Sequence, residues 1–418
     1  MESIVSGAPQ PLANYTEAFK VGDLVFAAGQ LATDFVSGVP KEASINKAFP
    51  FYGSDIKEQT RYILQNLQTT FETADSSLAN VVKAQVFLTD LKDFNAFDEV
   101  WREFFPTTPP ARTTLEIPLL LGAGPDQLVE IDLIGHTNSV SHDVIKSSAP
   151  QPLANYTEAY RVGNLVFAAG QLASDFKTGI PSEAKVDPNF PYYGSNIKLQ
   201  TRYILDNLTK TFAAANSSLA NVVKAQIFLT NLNDFNAFDE VWKEYFPESP
   251  PPRTTIGVSG LLGTGPDMLI EIDLIAHTHD TTHTISKTSA PQPKANYSEA
   301  FVVDGIVFAA GQVPSDFVTG VPKEASINKA FPFYGSEIKR QTDYTLNNLS
   351  TTFAGAGSSL GSTFKAQVFL TDLQDFNAFD EVWKQYYPGK PPARTTVETT
   401  GLLLPDALVE IDLIGEAS

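Results

Sequence analysis

The sequence predicts an α+β fold that is repeated three times along a chain of 418 residues. Three observations lead to this prediction. They are a repeat with a period of 141 residues, two amphipathic helix patterns in each repeat, and at least four short apolar strand patterns around those helices. Two helices and four or more strands fit a two-layer domain, with both helices on one face of a mixed sheet.

The repeat is clearest in motifs that return at a constant interval. The segments PPARTT, PPPRTT and PPARTT place Arg112, Arg253 and Arg394 at intervals of 141 residues. A period this long corresponds to a whole domain, and units of about 130 residues can each bury their own core. We predict three domains joined by two linkers rich in Ser, Thr and His: domain 1–135, linker 136–148, domain 149–276, linker 277–289 and domain 290–418.

Two helices are predicted in the first unit and, by the repeat, in the others. Ser54 is a candidate N-cap for a helix whose apolar residues recur at helical spacing, namely Ile56, Ile63, Leu67 and Phe71. A second helix begins after Asp93 and ends before Pro106. Its apolar face consists of Phe94, Phe97, Trp101 and Phe104.

Four strands are predicted in the first unit, at 24–30, 81–89, 113–117 and 128–134. Alternation along the last of them, LVEIDLI, places Val129, Ile131 and Leu133 on one face and Glu130 and Asp132 on the other. If the helices cover the apolar face, the acidic face meets either water or another domain. Three joined copies favour another domain.

Composition limits the chemistry and the partners. The absence of cysteine excludes disulfides, thiol nucleophiles and thiolate metal sites. All five histidines lie in the predicted linkers, which we expect to be polar and solvated, so histidine bases and histidine-bound metals inside the domains are not expected. A net charge of −19 repels phosphate backbones, and no nucleic-acid partner is expected. No membrane span or secretory signal is evident, and a cytoplasmic location is expected.

Arg112 and the acidic strand have two interpretations. In the first, Glu130 and Asp132 are solubilising residues and Arg112 is their surface salt-bridge partner, worth about 0–1 kcal/mol. In the second, Arg112 grips a carboxylate ligand and Glu130 holds a water. The arginine would then lower the pKa of Glu130 and keep it ionised as a base. Gly29 would allow a ligand to approach the backbone closely.

The motifs FAAGQ, VVKAQVFLTDLKDFNAFDEVW, PPARTT and LVEIDLIG together closely resemble the RidA/YjgF family of reactive-intermediate deaminases, over nearly all of each unit. The resemblance implies a chorismate-mutase-like α+β fold, a trimer, and clefts between subunits. There, 2-imino or 2-enamino acids are hydrolysed to 2-keto acids and ammonia, without a cofactor or metal. The three fused units would form an intramolecular pseudo-trimer, and we expect a monomeric chain whose substrate is a small-molecule carboxylate.

The resemblance also assigns roles to residues, position by position. The residues that bind the substrate carboxylate would be Arg112, Arg253 and Arg394. The acids that position water would be Glu130, Glu271 and Glu410. The remaining cleft residues would be the tyrosines Tyr15, Tyr156 and Tyr297 and the glycines Gly29, Gly170 and Gly311.

Four departures from the family pattern accompany the resemblance. The usual cleft serine is replaced by Ala28, Ala169 and Ala310, and a frequent cysteine by Thr114, Thr255 and Thr396. An inserted loop at 41–55 brings Phe49, Phe51 and Tyr52, as a lid or as packing. The copies also differ, with Gly257 opposite Glu116 and Glu398 and a shorter final turn in the third unit. Two alternatives to the deaminase therefore stay open, a site for a bulkier small molecule and a non-catalytic binding protein.

Overall fold

A computed structural model of the chain describes residues 1–46, 48, 53–122, 126–263, 265, 267–328, 330 and 335–417. The elements of the first unit are β1 (Glu2–Ile4), β2 (Ala18–Val21), β3 (Leu24–Ala27), β4 (Gln30–Leu31), α1 (Asp55–Thr73), β5 (Val81–Leu88), α2 (Phe94–Phe104), β6 (Ala111–Glu116) and β7 (Val129–His136). Those of the second unit are β8 (Asp143–Ile145), β9 (Ala159–Val162), β10 (Leu165–Ala168), β11 (Gln171–Leu172), α3 (Asn196–Ala214), β12 (Val222–Leu229), α4 (Phe235–Tyr245), β13 (Arg253–Gly257), β14 (Gly260–Leu261) and β15 (Ile270–His277). Those of the third unit are β16 (Thr284–Ser286), β17 (Ala300–Val303), β18 (Ile306–Ala309), α5 (Glu337–Gly355), β19 (Thr363–Leu370), α6 (Phe376–Tyr386), β20 (Ala393–Glu398), β21 (Gly401–Leu402) and β22 (Val409–Glu416).

Each unit contains one mixed sheet with its two helices on one face. In the first unit the strands run in the order β1-β2-β3-β7-β5-β6, and β4 pairs with β7. The β5–β6 pair is parallel and the other pairs are antiparallel. The predicted α+β class and its helix layer are confirmed, and all four predicted strands are present.

The helices form where their apolar stripes can reach the sheet. In α1 the predicted stripe is buried, and Ser54 is the N-cap residue as predicted. Along α2 and its C-cap residue, the rings of Phe97, Trp101 and Phe105 pack against one another in tilted pairs, at centroid distances of 5.4 and 4.4 Å. Burying such aromatic side chains is among the largest contributions to the stability of a core. The α2 helix is therefore held tightly against its sheet.

A fourth apolar core lies between the units. Each unit has a core of its own, and Val129, Ile131 and Leu133 belong to that of the first unit, as the alternation predicts. The opposite faces of the three sheets meet in a shared cluster that includes Phe26, Phe167 and Phe308. The prediction that the second face of each sheet meets another domain is confirmed.

The edges of the three sheets are completed by neighbouring units. Strand β14 of the second unit pairs with β6 of the first, and β21 of the third unit pairs with β13 of the second. A single bridge between Leu120 and Val397 joins the first unit to the third. These contacts close a ring in which each unit contacts both others. Edge strands that are covered in this way do not offer free backbone groups to other chains.

Gly257 is explained by this exchange of strands. Its carbonyl accepts hydrogen bonds from the Thr399 hydroxyl and from the Thr400 N–H, the latter at 3.2 Å. A Cβ at position 257 would lie 2.5 Å from the Thr400 hydroxyl oxygen. In the other copies Glu116 and Glu398 instead accept hydrogen bonds from the N–H groups of Leu91 and Leu373.

Polar side chains from the three units close a second ring at the centre of the molecule. Gln85 donates to Gln226, Gln226 to Gln367 and Gln367 to Gln85, each at 2.5 Å. Beside this ring lie three buried ion pairs between units: Lys83 with Asp273 at 2.7 Å, Lys224 with Asp412 at 2.5 Å, and Lys365 with Asp132 at 2.5 Å. Each lysine also donates to a backbone carbonyl of the same unit that contributes its aspartate. Asp132 is thus a buried partner of a lysine, and its interpretation as a solubilising residue is wrong.

A lysine of these pairs should be costly to remove alone. We expect Lys83→Met to lower the free energy of unfolding by about 3–5 kcal/mol, because the Asp273 carboxylate would stay buried without its counter-ion. The double variant Lys83→Met, Asp273→Asn should lose much less, since no charge is left unpaired. Urea unfolding followed by circular dichroism measures both. A single variant as stable as the parent would contradict the burial of this pair.

The predicted linkers are more structured than their composition suggests. The last strands β7 and β15 continue to His136 and His277, which are 1% and 3% exposed. Strands β8 and β16, inside the predicted linkers, pair with β9 and β17 of the following unit. The expectation that all five histidines are solvated is therefore wrong for these two, which are bonded through Nε2 to His142 and His283 at 2.7 and 2.9 Å.

The inserted loop is described fully in the second unit alone. Phe49, Phe51 and Tyr52 of the first unit lie outside the described residues. At the corresponding place in the second unit, Phe190 and Tyr192 are exposed. Among the described residues, no helix combines the length and the apolar character needed to cross a membrane.

Candidate active site

The predicted site residues meet in three clefts, each between two different units. In each cleft, one unit contributes the arginine and another contributes the tyrosine, the glycine and the glutamate. We call them the Arg112 cleft (with Tyr156, Gly170 and Glu271), the Arg253 cleft (with Tyr297, Gly311 and Glu410) and the Arg394 cleft (with Tyr15, Gly29 and Glu130). In the Arg253 cleft, these four residues line one cavity together.

Each arginine is buried and is already held on one side by an aspartate of its own unit. The Arg112 side chain is 1% exposed, and its Nη2 donates to Asp98 Oδ1 at 2.9 Å. Arg253 and Arg394 bind Asp239 and Asp380 in the same way, at 2.8 and 2.9 Å. The interpretation of Arg112 as a surface salt-bridge partner of Glu130 and Asp132 is therefore wrong, because Arg112 is buried and its partner is Asp98.

Aromatic rings surround the rest of the guanidinium group. The Arg112 guanidinium carbon lies 5.3, 5.3 and 5.1 Å from the ring centroids of Phe94, Phe97 and Trp101. Tyr156 of the next unit adds a fourth ring at 5.7 Å. Rings at these distances stabilise a cation and prevent the side chain from changing rotamer. The arginine is thus fixed before any ligand arrives.

At least one nitrogen of each arginine is left without a partner in the described part of the chain, and at Arg394 the Nε atom is unpaired as well. Nη1 of Arg112, Arg253 and Arg394 is buried and makes no hydrogen bond with any described residue. A buried donor without a partner costs about 1–3 kcal/mol, and more when it is charged. Such an atom is expected where a ligand supplies the missing acceptor.

The aspartates that hold the arginines were not identified from the sequence. Asp98 lies in the middle of α2, 14 residues before Arg112, and its Oδ2 accepts from Arg102 Nε at 3.0 Å. Its position within the apolar pattern of the helix was the available signal, since Asp98 is buried among Phe97, Val100 and Trp101. A carboxylate on the buried face of a helix normally has a cationic partner.

The glycine of each cleft makes room for the glutamate. A Cβ added at Gly29 would lie 2.0 Å from Glu130 Oε1, and one at Gly170 would lie 2.0 Å from Glu271 Oε1. The corresponding distance from Gly311 to Glu410 Oε1 is 2.2 Å. The group that approaches the glycine backbone closely is therefore the glutamate carboxylate of the same unit, whereas a ligand was expected there. Oε2 of Glu130 and of Glu271 is buried and has no hydrogen-bond partner in the described part of the chain.

Burial decides the protonation of these glutamates. It raises the pKa of Glu130 and of Glu410 to about 8, and the charge of Asp132 or Asp412 on the same strand adds to the shift. The pKa of Glu271 is also raised well above its usual value, for the same reasons. Arg394 and Lys365 oppose the shift at Glu130 but are outweighed. The expectation that the arginine keeps Glu130 ionised is thus wrong, because the loss of water has the larger effect.

The cleft tyrosines and threonines complete the lining. Burial, and after it the charge of the cleft glutamate, raises the pKa of Tyr15, Tyr156 and Tyr297, so each stays a neutral hydroxyl. Thr255, at the position where the family often has cysteine, lines the Arg253 cleft. The Thr395 hydroxyl accepts from the Gly29 N–H at 3.0 Å and donates to Asp132 at 2.5 Å, which links the cleft to the central ring.

No metal site accompanies these groups in the part of the chain that the structure describes, where no three His, Asp or Glu side chains gather as ligands. The arrangement can instead bind an anion at the arginine and transfer a proton at the glutamate. Both groups act from fixed positions, and they belong to different units.

Comparison with known proteins identifies the family. The family described as Endoribonuclease L-PSP matches residues 5–137, 146–278 and 287–417. The chain belongs to this family. A RutC family protein of Pyrococcus horikoshii is 38% identical over 134 residues, which are 32% of this chain and 95% of that protein. A RutC family protein of Sulfurisphaera tokodaii is 38% identical over 132 residues, or 32% of this chain and 94% of that protein.

Solved structures also match parts of this chain. RidA from the Antarctic bacterium Psychrobacter sp. is 31% identical, with a TM-score of 0.27, and the match covers 32% of this chain and 99% of that structure. The resemblance to the RidA/YjgF family, in three tandem copies, is confirmed by the three family matches. Membership of the L-PSP family supports, in general terms, an imine-deaminase type of function or a related one.

Proposed function

We propose that the three clefts hydrolyse reactive 2-imino and 2-enamino acids to 2-keto acids and ammonia, in a pseudo-trimer formed within one chain. One observation carries the proposal. In each cleft, a buried guanidinium nitrogen that has no hydrogen-bond partner among the described residues lies across a unit boundary from a glutamate whose burial favours the neutral form. A 2-imino acid offers one group for each, a carboxylate for the arginine and a basic nitrogen for the carboxylic acid.

Substrate binding uses the free side of the arginine. The Asp98 carboxylate and the aromatic rings hold the Arg112 guanidinium in place, and Nη1 donates to the substrate carboxylate. A charge-assisted contact of this kind contributes about 1.5–3 kcal/mol. Because the guanidinium is fixed beforehand, little conformational entropy is lost on binding. The substrate's C2 and its nitrogen then lie toward the glutamate of the neighbouring unit.

The glutamate would carry out the proton transfers. Neutral Glu271 donates its proton to the imine nitrogen, or to the β-carbon of an enamine, and an iminium forms. The Glu271 carboxylate then takes a proton from water as the water oxygen bonds to C2. It returns that proton to the nitrogen, the C2–N bond breaks and ammonia leaves. The proton of the C2 hydroxyl passes to Glu271 as the keto group forms, which restores the starting state.

Ribonuclease chemistry, which the family description mentions, is less well supported. The net charge of −19 repels a phosphate backbone. The two buried histidines, His136 and His277, are hydrogen-bonded to His142 and His283 near the unit junctions. No histidine lines the cavity at the Arg253 cleft or the cavity at the mouth of the Arg112 cleft. No histidine is therefore available as an acid or a base among the described residues that line these two cavities.

The test is the release of 2-keto acid from freshly generated 2-iminobutanoate, with semicarbazide competing for the imine. We expect enzyme-dependent kcat/KM to be constant from about pH 6 to about pH 7 and to fall as the pH rises through about 8, because the neutral glutamate is lost. Replacing Glu130, Glu271 and Glu410 together with glutamine should lower the rate by about 10²–10⁴-fold.

The glutamine variant also provides its own folding control. A group whose pKa is higher in the folded state than in the unfolded state stabilises the fold less as the pH rises between those two values. Glutamine removes this penalty, so the variant should melt no lower than the parent at neutral pH. Release at the uncatalysed rate from a folded parent protein would overturn the proposal and favour a binding function.

A further inference from the structure

The three clefts share their arginine and glutamate but differ in charge at the mouth. Lys92, Arg102 and Lys177 line one cavity of about 720 Å³. Asp98 and Tyr156, which contact Arg112, also line this cavity, so it forms the mouth of the Arg112 cleft. The repeat gives the equivalent residues of the other clefts. They are Asn233, Lys243 and Val318 at the Arg253 cleft, and Gln374, Lys384 and Val36 at the Arg394 cleft.

A fourth position at the mouth sharpens the difference. It is occupied by Leu153 at the Arg112 cleft, by Lys294 at the Arg253 cleft and by Leu12 at the Arg394 cleft. Across the four positions the number of cations is therefore three, two and one. At the Arg394 cleft, two of the four positions are apolar and exposed, since Leu12 is 77% and Val36 is 89% exposed. In a chain of net charge −19, three cations around one cleft form a local site for anions.

These cations are available to a ligand. Arg102 uses Nε to bind Asp98 Oδ2, which leaves its outer nitrogens directed away from that bond, and the side chain is 58% exposed. Lys92 pairs with Asp90 at 3.2 Å, in an exposed pair worth little. Lys177 is exposed and makes no ion pair with a described residue. None of the three is committed to a strong partner.

Lys177 is held at the mouth by a rigid turn. The Asp175 carboxylate accepts from the N–H groups of Lys177 and Thr178 at 2.8 and 2.7 Å, and Phe176 has a left-handed φ of 58°. The same turn is present in the other units, with Asp34 and Asp316 in the role of Asp175. The exchange of lysine for valine at this position therefore changes the charge of the mouth without changing the backbone that carries it.

Arg102 and the cleft arginine lie close together. Asp98 accepts from Arg112 at Oδ1 and from Arg102 at Oδ2, so the two guanidinium groups are separated by one carboxylate group. A substrate whose first carboxylate is bound by Arg112 Nη1 would bring a second carboxylate toward the forked donors of Arg102. Lysine, at the equivalent positions 243 and 384, offers a point charge without that fork.

The Arg112 cleft differs from the other two in one hydrogen bond between units. The indole N–H groups of Trp242 and Trp383 donate to the carbonyls of Asn296 and Asn14 in the following unit, at 3.1 and 3.0 Å. The equivalent Trp101 N–H has no such partner among the described residues. The cavity at the Arg253 cleft, where the bond is present, has a volume of about 330 Å³. The mouth of the Arg112 cleft thus opens into a cavity of about 720 Å³ and carries the largest number of cations among the four compared positions.

We propose that the Arg112 cleft accepts imino or enamino acids that carry a second carboxylate, bound by Arg102, Lys177 and Lys92, whereas the Arg394 cleft accepts substrates with apolar side chains. The proposal rests on the proposed hydrolytic function for its substrate class. It assigns different specificities to three sites in one chain.

Chains with a single working cleft test this proposal. Replacing two of the three glutamates with glutamine leaves Glu271, Glu410 or Glu130 as the one acid, and hence the Arg112, Arg253 or Arg394 cleft as the one active site. Each chain is assayed with 2-iminosuccinate and with 2-iminopropanoate, made in the assay from aspartate and alanine by amino-acid oxidases. We expect the ratio of kcat/KM for the dicarboxylate to that for the monocarboxylate to be at least about tenfold higher with Glu271 than with Glu130.

Substitutions copied from the other units provide matched controls. In the Glu271 chain, Lys177→Val with Lys92→Gln should lower this ratio several-fold, mainly by raising KM for 2-iminosuccinate. Lys185→Val removes one positive charge outside the cavity, as a control for Lys177→Val alone, and should not lower the ratio. In the Glu130 chain, Val36→Lys should raise it. Equal ratios in all three chains, or a ratio insensitive to Lys177, would overturn the proposal.

A binding measurement separates this inference from the hydrolytic function. If no chain releases keto acid, the hydrolytic proposal fails, and calorimetric titration of the parent with succinate and with propanoate then decides the specificity. Tighter binding of succinate that Lys177→Val and Lys92→Gln weaken would retain a dicarboxylate site. Equal binding of the two probes, or binding that these substitutions do not change, would remove it.

Discussion

Replacing Arg112, Arg253 and Arg394 with methionine, together with Asp98, Asp239 and Asp380 with asparagine, should lower kcat/KM for 2-iminobutanoate by about 10²–10⁴-fold in a protein that remains folded. Nη1 and its charge supply about 1.5–3 kcal/mol for each contact with the substrate carboxylate, and two contacts account for this range. The paired change is needed because each arginine is also the counter-ion of a buried aspartate.

The single substitutions separate catalysis from folding. Arginine to methionine alone should destabilise a unit by about 3–5 kcal/mol, since a buried carboxylate loses its partner. Aspartate to asparagine alone should keep the arginine and most of the activity, but it should cost a similar amount of stability, because the buried guanidinium then loses its counter-ion. Keto acid release is followed beside thermal unfolding for each protein. If the variant with all six substitutions is folded and has the kinetics of the parent, the arginines do not bind the substrate.

Alanine at Gly29, Gly170 and Gly311 should abolish most activity for a steric reason. The new Cβ would lie 2.0–2.2 Å from the carboxylate oxygen of the cleft glutamate, far inside van der Waals contact. At Gly311 it would also lie 2.7 Å from the Thr254 hydroxyl oxygen of the neighbouring unit. The carboxylate must therefore leave its place between the units, and we expect a loss of at least about 10²-fold in the triple variant.

Two comparisons make the steric interpretation specific. Gly389→Ala places a Cβ in open space and should leave the rate unchanged. In a chain that already carries the three glutamate to glutamine changes, the three alanines should add little further loss, because both sets disable the same group. Fully additive losses in the combined variant would mean that the glycines act independently of the glutamates.

Much of the fold could be predicted from local patterns. The stripe of Ile56, Ile63, Leu67 and Phe71 identifies α1, and the alternation of Val129, Ile131 and Leu133 identifies the core face of β7, because each pattern lies within one element. Strands of two or three residues, such as β1 and β14, were not predicted. They are too short to show a period, and β14 exists because another unit supplies its partner strand.

The candidate site could be predicted in part. The arginines, glutamates, tyrosines and glycines identified by the repeat and by resemblance lie together in the clefts. Asp98 was missed because its partner is 14 residues away on a different element. The central pair of Lys365 with Asp132 joins residues 233 apart in different units. Spacing within one unit gives no information about such contacts.

The sequence by itself determined that the chain is a triplicated α+β protein with one arginine and one glutamate for each cleft, because repetition and periodicity are properties of the order of residues. Only the tertiary structure decided that Arg112 lies in one cleft with Glu271 of the next unit, and that Asp98 already binds one side of the Arg112 guanidinium. It also decided that burial raises the pKa of Glu130 to about 8. These depend on which distant side chains meet and on how much water is removed from them. Packing between the units sets both.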